Sequence, residues 1–425
     1  MAFENRSVQQ TTLPNGLVVV TEPMANVHSV SAGIWIRTGS RAEASERSGI
    51  SHFIEHMVFK GTGRRKAEDI AREVDSVGGM VDAFTAKEMV CFNTRVLDEH
   101  LEAVFDVLAD MVIDPQFPAE EIDRERSVVL EEIRMVEDNP EDLVHEMFSR
   151  NLWGAHALGR PILGVAETVE RFDRDTLRAA FRSWYAPNNM VITAAGNISH
   201  QQLLDLVEPR FGSRAPVQNG HADAPPAPAA EIISRSKSEL EQVHFCIGVP
   251  ACSMTDSRRY AVALLNNILG SGMSSRLFQN IREKQGLAYA VFSETNHYHD
   301  AGMLCIYAGT SLETVEQLIG SVTSELCNLK SNGVTADELR RSKANLKGAT
   351  LLSLESTGSR MSDLARQYLY FGSYISPAER IAAMEAVTLE EVQHAAQEMF
   401  QPSQAAAAIL GNLNGFKLSP SQICF

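Results

Sequence analysis

The sequence predicts an α+β fold of two homologous domains, each a mostly antiparallel sheet with helices packed on one face. Three observations predict it. Apolar patterns of period 2 and period 3.6 alternate along the chain, their order repeats once, and a Pro/Ala-rich segment separates the copies. We assign residues 1–212 to the first domain, 213–231 to a linker and 232–425 to the second domain.

The first copy runs from a strand through a helix and a strand-like segment to two further helices. HSVSAGIWIRTGS is typical of a strand that ends in a turn, and SGISHFIEHMVFKG of a helix. GGMVDAFTAKEMVCFNTRVL is strand-like, whereas DEHLEAVFDVLADMVI and PAEEIDRERSVVLEEIRMV have helical periodicity. This order describes one α+β unit.

The second copy repeats that order. EQVHFCIGVPA is a predicted strand, RRYAVALLNNILG a helix and GLAYAVFSETNHYHDAGMLCIYAGT a strand pair. SLETVEQLIGSVTSELCNL and TADELRRSKANLKGATLLSLES are again predicted helices. The matching order and spacing indicate duplication of one unit.

Composition excludes several classes of protein. A formal charge of −16 over 425 residues argues against nucleic-acid binding, which requires clustered Lys and Arg, and favours basic peptides as partners. No apolar run is long enough to span a membrane, and the N-terminus lacks a secretory signal pattern. Six scattered cysteines without a CxxC pair predict free thiols in a reducing compartment, the cytoplasm.

The strongest chemical motif is His52-Phe-Ile-Glu55-His56 in the predicted first helix. His52 and His56 are four residues apart, so both imidazoles lie on one face and can reach the same ion. Glu55 projects beside them and can take a proton from water without binding the metal. H-x-x-E-H is the inverted zinc-peptidase motif, although two surface histidines beside an incidental glutamate would give the same letters.

A third ligand is expected from the helix PAEEIDRERSVVLEEIRMV. Its Glu125 and Glu132 are seven residues apart, two turns along one face that also carries apolar residues. A carboxylate on a largely buried stripe needs a partner, which a divalent cation supplies. We predict that Glu132 binds the metal and that Glu125 orients a ligand or the base.

The repeat permits an internal comparison. The segments of the second copy that align with HFIEH and ERSVVLEE lie near NNILG and SKANLKGA, which contain no His, Asp or Glu. A purely structural role would be expected to recur in both copies. The His and Glu residues therefore serve a function confined to the first half.

The sequence resembles the pitrilysin-type peptidases, most closely the branch of the mitochondrial processing peptidase β-subunit and its bacterial relatives. Matching segments cover nearly the whole chain: HFIEHMVFKGT, RERSVVLEEIRMVEDNPEDLVHE, GRPILG, WYAPNNMVITAAGN and GSGMSSRLFQNIREKQGLAYAVFS. The resemblance implies a zinc endopeptidase with one Zn2+ per chain. It gives the metal ligands as His52, His56 and Glu132, the base as Glu55 and the residue behind the ligands as Glu125.

The resemblance also implies contacts with an extended peptide substrate. The segment Val81-Asp82-Ala83-Phe84-Thr85 is similar to the family's substrate-binding edge strand, where backbone pairing gives affinity; the family often has Asn at the position of Asp82. Arg282 and Tyr289 match residues of the family's second domain that reach the substrate backbone and the reaction centre.

Three functions remain open from the sequence. The leading one is an endopeptidase that cleaves unfolded peptides or presequences in an enclosed chamber. A homodimer, or a heterodimer with a homologous α-like subunit, is implied by the resemblance. The alternatives are a competent chain that is silent without its partner and a non-catalytic assembly subunit, which should have lost the ligands.

Overall fold

The computed structural model describes residues 8–217 and 223–425. These residues form two compact units, each organised around one sheet. The strands are β1 (Gln9–Thr12), β2 (Val18–Pro23), β3 (Ser29–Ile36), β4 (Met80–Thr85), β5 (Val90–Leu97), β6 (Met190–Gly196), β7 (Ile232–Ser236), β8 (Val243–Ala251), β9 (Val291–His297), β10 (Gly302–Thr310) and β11 (Ala406–Gly411).

Helices connect and cover these strands. They are α1 (Ile50–Val58), α2 (Ala67–Asp75), α3 (Leu101–Ile113), α4 (Ala119–Asp138), α5 (Pro140–Trp153), α6 (Ala166–Val169), α7 (Arg174–Trp184), α8 (His200–Phe211), α9 (Arg259–Gly270), α10 (Val315–Asn332), α11 (Ala336–Ser353), α12 (Thr357–Phe371), α13 (Pro377–Ala386) and α14 (Leu389–Met399). A π-helical segment, Phe278–Lys284, follows α9.

The two sheets share one topology. The first has the order β1-β2-β6-β3-β5-β4, and the second the order β7-β11-β8-β10-β9. All neighbours are antiparallel except β2 with β6 and β7 with β11, which are parallel. Apart from the additional edge strand β1, the strands correspond one to one in chain order. The α+β fold class and the internal repeat are thus confirmed.

One face of each sheet carries the main apolar core. In the first unit, buried residues of β3 and β5 pack against α1 and α3, and in the second, those of β8 and β10 pack against α9 and α10. The core of the first unit holds α1 in place through Phe53, Ile54 and Met57, each fully buried. This packing fixes which face of α1 points away from the sheet.

The opposite face of each sheet is covered by one helix from the other half of the sequence. Met361 and Leu364 of α12 lie with Trp35 and Val191 in a buried cluster on the first sheet. Phe148 of α5 packs in the corresponding cluster on the second sheet. The prediction of helices on a single face therefore missed these two, because their amphipathic patterns do not say which sheet they cover.

The compact units are consequently discontinuous in sequence. The first comprises 8–134, 161–217 with Asp223, and 351–375; the second comprises 135–160, 224–350 and 376–425. This division differs from the contiguous segments 1–212 and 232–425 by the reciprocal exchange of α5 and α12. Within the predicted linker 213–231, residues 213–217 and 223–231 have no helix or strand, and 218–222 lie outside the described residues.

Two further features bear on the expectations from composition. Among the described helices, none combines the length and apolar character needed to cross a lipid bilayer. All six cysteines are free thiols; four are buried and two are exposed.

Candidate metal centre

Helix α1 presents the H-x-x-E-H residues because its other face is apolar. Phe53, Ile54 and Met57 are fully buried, whereas His52, Glu55 and His56 are only partly buried. The helix is nine residues long, so tertiary contacts rather than intrinsic propensity hold it. The two imidazoles meet edge to face with their centroids 4.6 Å apart.

The N-terminus of α1 is fixed by a buried carboxylate. Glu43 accepts hydrogen bonds from the backbone N–H groups of Gly49 and Ser51, both at 2.8 Å. Gly49 has φ +93°, and a Cβ there would lie 2.4 Å from the carbonyl oxygen of Leu163. The segment 159–164, GRPILG, therefore packs directly against the start of the metal-motif helix, which explains why a glycine is needed at position 49.

Helix α4 brings its carboxylates to the same place. Glu132 Oε2 lies 3.7 Å from His52 Nε2 and 3.5 Å from His56 Nε2. One ligand atom from each of these three residues falls within 4.8 Å of the others. The structure thus brings together the three residues that the sequence predicted as ligands.

Glu125 contacts His56 on the side of the ring opposite to Glu132. His56 Nδ1 donates to Glu125 Oε2 at 2.9 Å, and Lys60 Nζ forms an ion pair with Glu125 Oε1 at 2.7 Å. Because a carboxylate only accepts, Nδ1 carries a proton, and Nε2 is the ring nitrogen that faces Glu132. Burial alone would raise the pKa of Glu125, but the hydrogen bonds from His56 and Lys60 lower it.

The electrostatic state of the histidines suits a cation. Burial and the neighbouring His56 lower the pKa of His52 to about 3, so its imidazole is neutral at pH 7. Burial would also lower the pKa of His56, but the hydrogen bond to Glu125 and the charge of Glu132 raise it. Two histidines whose rings face a carboxylate form a ligand set typical of catalytic zinc.

An unpartnered oxygen of the centre fits a metal. Among the described residues, Glu132 Oε2, which faces both imidazoles, is buried without a hydrogen-bond partner. A buried carboxylate oxygen without a donor is costly unless a cation or ordered water supplies the missing interaction. The donor set of two imidazoles and one carboxylate therefore fits a zinc ion at this position.

Glu55 is held by the strand beside it. Thr85 Oγ1 donates a short hydrogen bond to Glu55 Oε2. Burial raises the pKa of Glu55, and the hydrogen bond from Thr85 offsets part of the effect. A carboxylate with a raised pKa binds a proton more readily, which is the property of a general base.

The predicted substrate strand is β4, and it lies at an edge of the first sheet. It pairs with β5 through residues 80–85, and no described strand pairs with its outer side. Met80, Asp82 and Phe84 are exposed, while Val81, Ala83 and Thr85 are partly buried. Because β4 contacts α1 and ends at Thr85, its free edge leads to Glu55.

Arg282 and Tyr289 belong to the second unit, so the first unit builds the metal centre without them. The Arg282 guanidinium lies 4.8 Å from the centroid of the Tyr289 ring and 4.7 Å from that of Phe278. Tyr289 is 82% exposed, which is unusual for so large an aromatic side chain. The pair presents a cation and a phenol to solvent.

Sequence reasoning missed two residues that shape the centre. Lys60 forms an ion pair with Glu125, and Glu43 fixes the start of α1. Lys60 is four residues beyond His56, a spacing that could have indicated a shared helical face. Glu43 carries no such signal, because its partners are backbone groups of a loop.

Comparisons with known proteins identify the family of this chain. The family model described as Insulinase (Peptidase family M16) matches residues 18–166, and the one described as Peptidase M16 inactive domain matches residues 171–346. The uncharacterized zinc protease YmxG of Bacillus subtilis is 44% identical over 402 residues, which cover 95% of this chain and 98% of that protein. The chain belongs to peptidase family M16, the pitrilysin-type peptidases.

A further relative and a solved structure are also similar to this M16 chain. An uncharacterized zinc protease of Streptomyces coelicolor is 40% identical over 400 residues, covering 92% of this chain and 87% of that protein. The crystal structure of a protease from Helicobacter pylori superposes with a TM-score of 0.89 at 22% identity, covering 96% of this chain and 99% of the other. At that identity the likeness concerns the fold.

Proposed function

We propose that this M16 chain is a zinc-dependent endopeptidase acting on extended peptides. The observation that carries the proposal is the convergence of His52, His56 and Glu132, with Glu55 held next to them by Thr85. The relatives named zinc proteases support it. One zinc ion held by these three residues would lower the pKa of a bound water to about 7 and polarise the peptide carbonyl.

Each residue of the first unit has a distinct task in this proposal. Glu55 takes the proton of the attacking water and gives it to the leaving nitrogen, a role that its raised pKa favours. Glu125 holds the His56 ring so that Nε2 faces the cation, and Lys60 keeps Glu125 ionised. Thr85 orients Glu55 at the end of the edge strand.

The edge of β4 would bind substrate as an added strand. Residues 81–85 offer backbone donors and acceptors that no described strand uses, so an extended peptide can pair there with little demand on its sequence. Substitution of the family's Asn by Asp82 leaves those groups in place. Arg282 and Tyr289 would contact the substrate backbone, and the Tyr289 hydroxyl could stabilise developing negative charge.

The cellular setting follows from the same proposal. Unfolded peptides or presequences are the expected substrates, and the charge of −16 favours basic ones. A homodimer or a heterodimer with a homologous subunit would enclose them. Free thiols at all six cysteines agree with a cytoplasmic location.

The decisive experiment compares wild type with Glu55→Gln. Both proteins are analysed for zinc and assayed on a quenched fluorescent peptide, with and without chelator. We expect the variant to keep its zinc, because Glu55 is not a ligand, and to lose cleavage by a factor of about 10²–10⁴. Glu131→Gln is the matched control, since the Glu131 side chain is exposed and pairs with Arg134.

Three results would refute the proposal. If Glu55→Gln cleaves the peptide at the wild-type rate, Glu55 is not the base. If wild type binds zinc but releases no product, the chain is not an endopeptidase by itself, and the silent-subunit alternative takes its place. A wild-type chain that neither binds zinc nor cleaves would favour a non-catalytic assembly subunit.

A further inference from the structure

A second group of metal-binding side chains lies in the second unit, away from α1. His145 of α5, Cys246 of β8 and Cys305 of β10 each offer one ligand atom, and these atoms all fall within 4.8 Å of one another. His145 is half-buried and both cysteines are buried. None of the three contributes to the centre formed by His52, His56 and Glu132.

The fold places the two cysteines by register. Strands β8 and β10 are antiparallel neighbours, with Cys246 opposite Tyr307 and Cys305 opposite Gly248. Both side chains lie in the buried cluster on the sheet face that α5 covers. The helix that supplies His145 is therefore the one that the first half of the sequence contributes to this sheet.

Contacts around His145 fix the direction of its ring. Its Nδ1 lies 2.7 Å from the carbonyl oxygen of Glu141, so Nδ1–H donates there. The ring stacks on Tyr307 at 5.2 Å between centroids and on Phe292 at 6.2 Å. This leaves Nε2 as the ring nitrogen that can bind a metal ion, as in carbonyl-oriented histidine ligands.

Cys246 and Cys305 are free thiols at diagonal positions on adjacent strands. A cation can bridge them, because thiolate ligands reach a zinc ion at about 2.3 Å each and need no sulfur–sulfur bond.

The ligand types also suit a divalent cation. Glu294 of β9 lies directly opposite Cys305 in the ladder and adds negative charge. Two thiolates and a neutral imidazole neutralise a divalent ion, which removes the cost of burying the thiolates alone.

We propose that His145, Cys246 and Cys305 form a second metal site, which binds a thiophilic transition-metal ion such as Zn2+. Soft thiolate and imidazole ligands select zinc-class ions over Mg2+ or Ca2+. The ion would tie α5 to β8 and β10 and so anchor that helix on the second sheet. The site would add a second ion to the one expected at α1.

The test uses Co2+ as a spectroscopic probe on metal-free, reduced, full-length protein. We expect a thiolate-to-cobalt charge-transfer band that saturates by two equivalents, because the centre at α1 takes up the other ion, and that is displaced by Zn2+. Cys246→Ser and Cys305→Ser should each lose most of the band. Two controls should keep the band. The first is Cys252→Ser, which changes a buried cysteine that is not one of the three proposed ligands. The second is the double variant His52→Ala/His56→Ala.

A measurement on the wild-type protein tests the same site without depending on whether the variants fold. X-ray absorption of the zinc-loaded wild type should show sulfur neighbours at about 2.3 Å, which the nitrogen and oxygen ligands at α1 cannot supply. Absence of both the sulfur shell and the cobalt band would overturn the proposal. A band that survives in both Cys246→Ser and Cys305→Ser would overturn it as well.

Discussion

At the residue scale, the metal centre depends on polar contacts that connect the predicted ligand His56 to two residues behind it, Glu125 and Lys60. Lys60 pairs with one oxygen of Glu125, and the other oxygen accepts from His56 Nδ1. The Glu125 side chain is only 7% exposed, so its charge needs both partners. Orientation of the His56 ring is thus set by residues that do not touch the cation.

Glu125→Gln should weaken zinc binding without abolishing it. The amide removes the negative charge that orients His56 and makes its Nε2 more basic, and loss of such a partner typically costs about 10–100-fold in affinity. Competition with a chromogenic chelator measures the change. Glu131→Gln on the same helix should bind zinc like wild type. Equal affinity in Glu125→Gln and wild type would show that Glu125 does not support the ligand.

At the element scale, an ion cluster joins the helices that surround the metal helix. Asp106 of α3 accepts hydrogen bonds from Arg65, just before α2, and from Arg210 of α8. Arg64 adds a third contact. The cluster therefore links α3 to α8 and to the start of α2, next to the core that holds α1.

Stability should depend on pH through Asp106. Burial alone would raise the pKa of Asp106, but the hydrogen bonds from Arg64, Arg65 and Arg210 lower it below its ordinary value. Because its pKa is lower in the folded than in the unfolded state, ionised Asp106 stabilises the folded protein at pH values above the unfolded-state pKa of about 3.9. This stabilisation is lost progressively as pH falls below that value towards the folded-state pKa. We expect Asp106→Asn to destabilise the first unit by about 1 kcal/mol at pH 7, since solvent screens part of the interaction.

Thermal unfolding at several pH values measures this effect. The difference in stability between wild type and Asp106→Asn should narrow as pH drops below about 4, because the unfolded state then takes up a proton at Asp106 while the folded state keeps this carboxylate ionised. Asp123→Asn is the control, because that carboxylate is 74% exposed and pairs with Arg126 in the next helical turn. If the difference in stability between wild type and Asp106→Asn is the same at every pH, the charge of Asp106 is not the cause of the difference.

At the scale of the whole molecule, the exchange of α5 and α12 makes each sheet depend on both halves of the sequence. Ser31 Oγ is 2.9 Å from Thr357 Oγ1, and Thr193 Oγ1 donates to the carbonyl of Met361. Trp35, 1% exposed, packs in the same cluster as Met361. Without α12, one face of the first sheet would be left open to water.

The separate halves should therefore fail to fold alone. Each large apolar side chain returned to water costs about 1.5–3 kcal/mol, so residues 1–217 should aggregate or bind a hydrophobic dye when expressed by themselves. Co-expression with 223–425 should restore soluble protein. The full chain, cut at a protease site inserted between 217 and 223, should stay associated on size exclusion. A monomeric 1–217 fragment with native near-ultraviolet circular dichroism would contradict this expectation.

The sequence by itself determined the elements that have strong local patterns. Strands β3 and β8, helices α1 and α4 and the repeat were predictable, because burial of one face imposes period 2 or 3.6 on the letters. The placement of His52 with His56, and of Glu125 with Glu132, on one helical face was predictable too, since four-residue and seven-residue spacings fix which side chains share a face. That the two helices would meet was implied only by the family resemblance. The roles of these residues stay proposals until the metal and the reaction are measured.

Only the tertiary structure decided which sheet each amphipathic helix covers. The patterns of α5 and α12 require an apolar partner but do not specify it. The local sequence therefore does not show that each of these helices covers the sheet of the other half. For the same reason the sequence could not reveal Glu43 at the start of α1, or His145 beside Cys246 and Cys305. Those contacts join residues far apart in the chain or pair a side chain with backbone groups, and the folded chain alone brings them within reach.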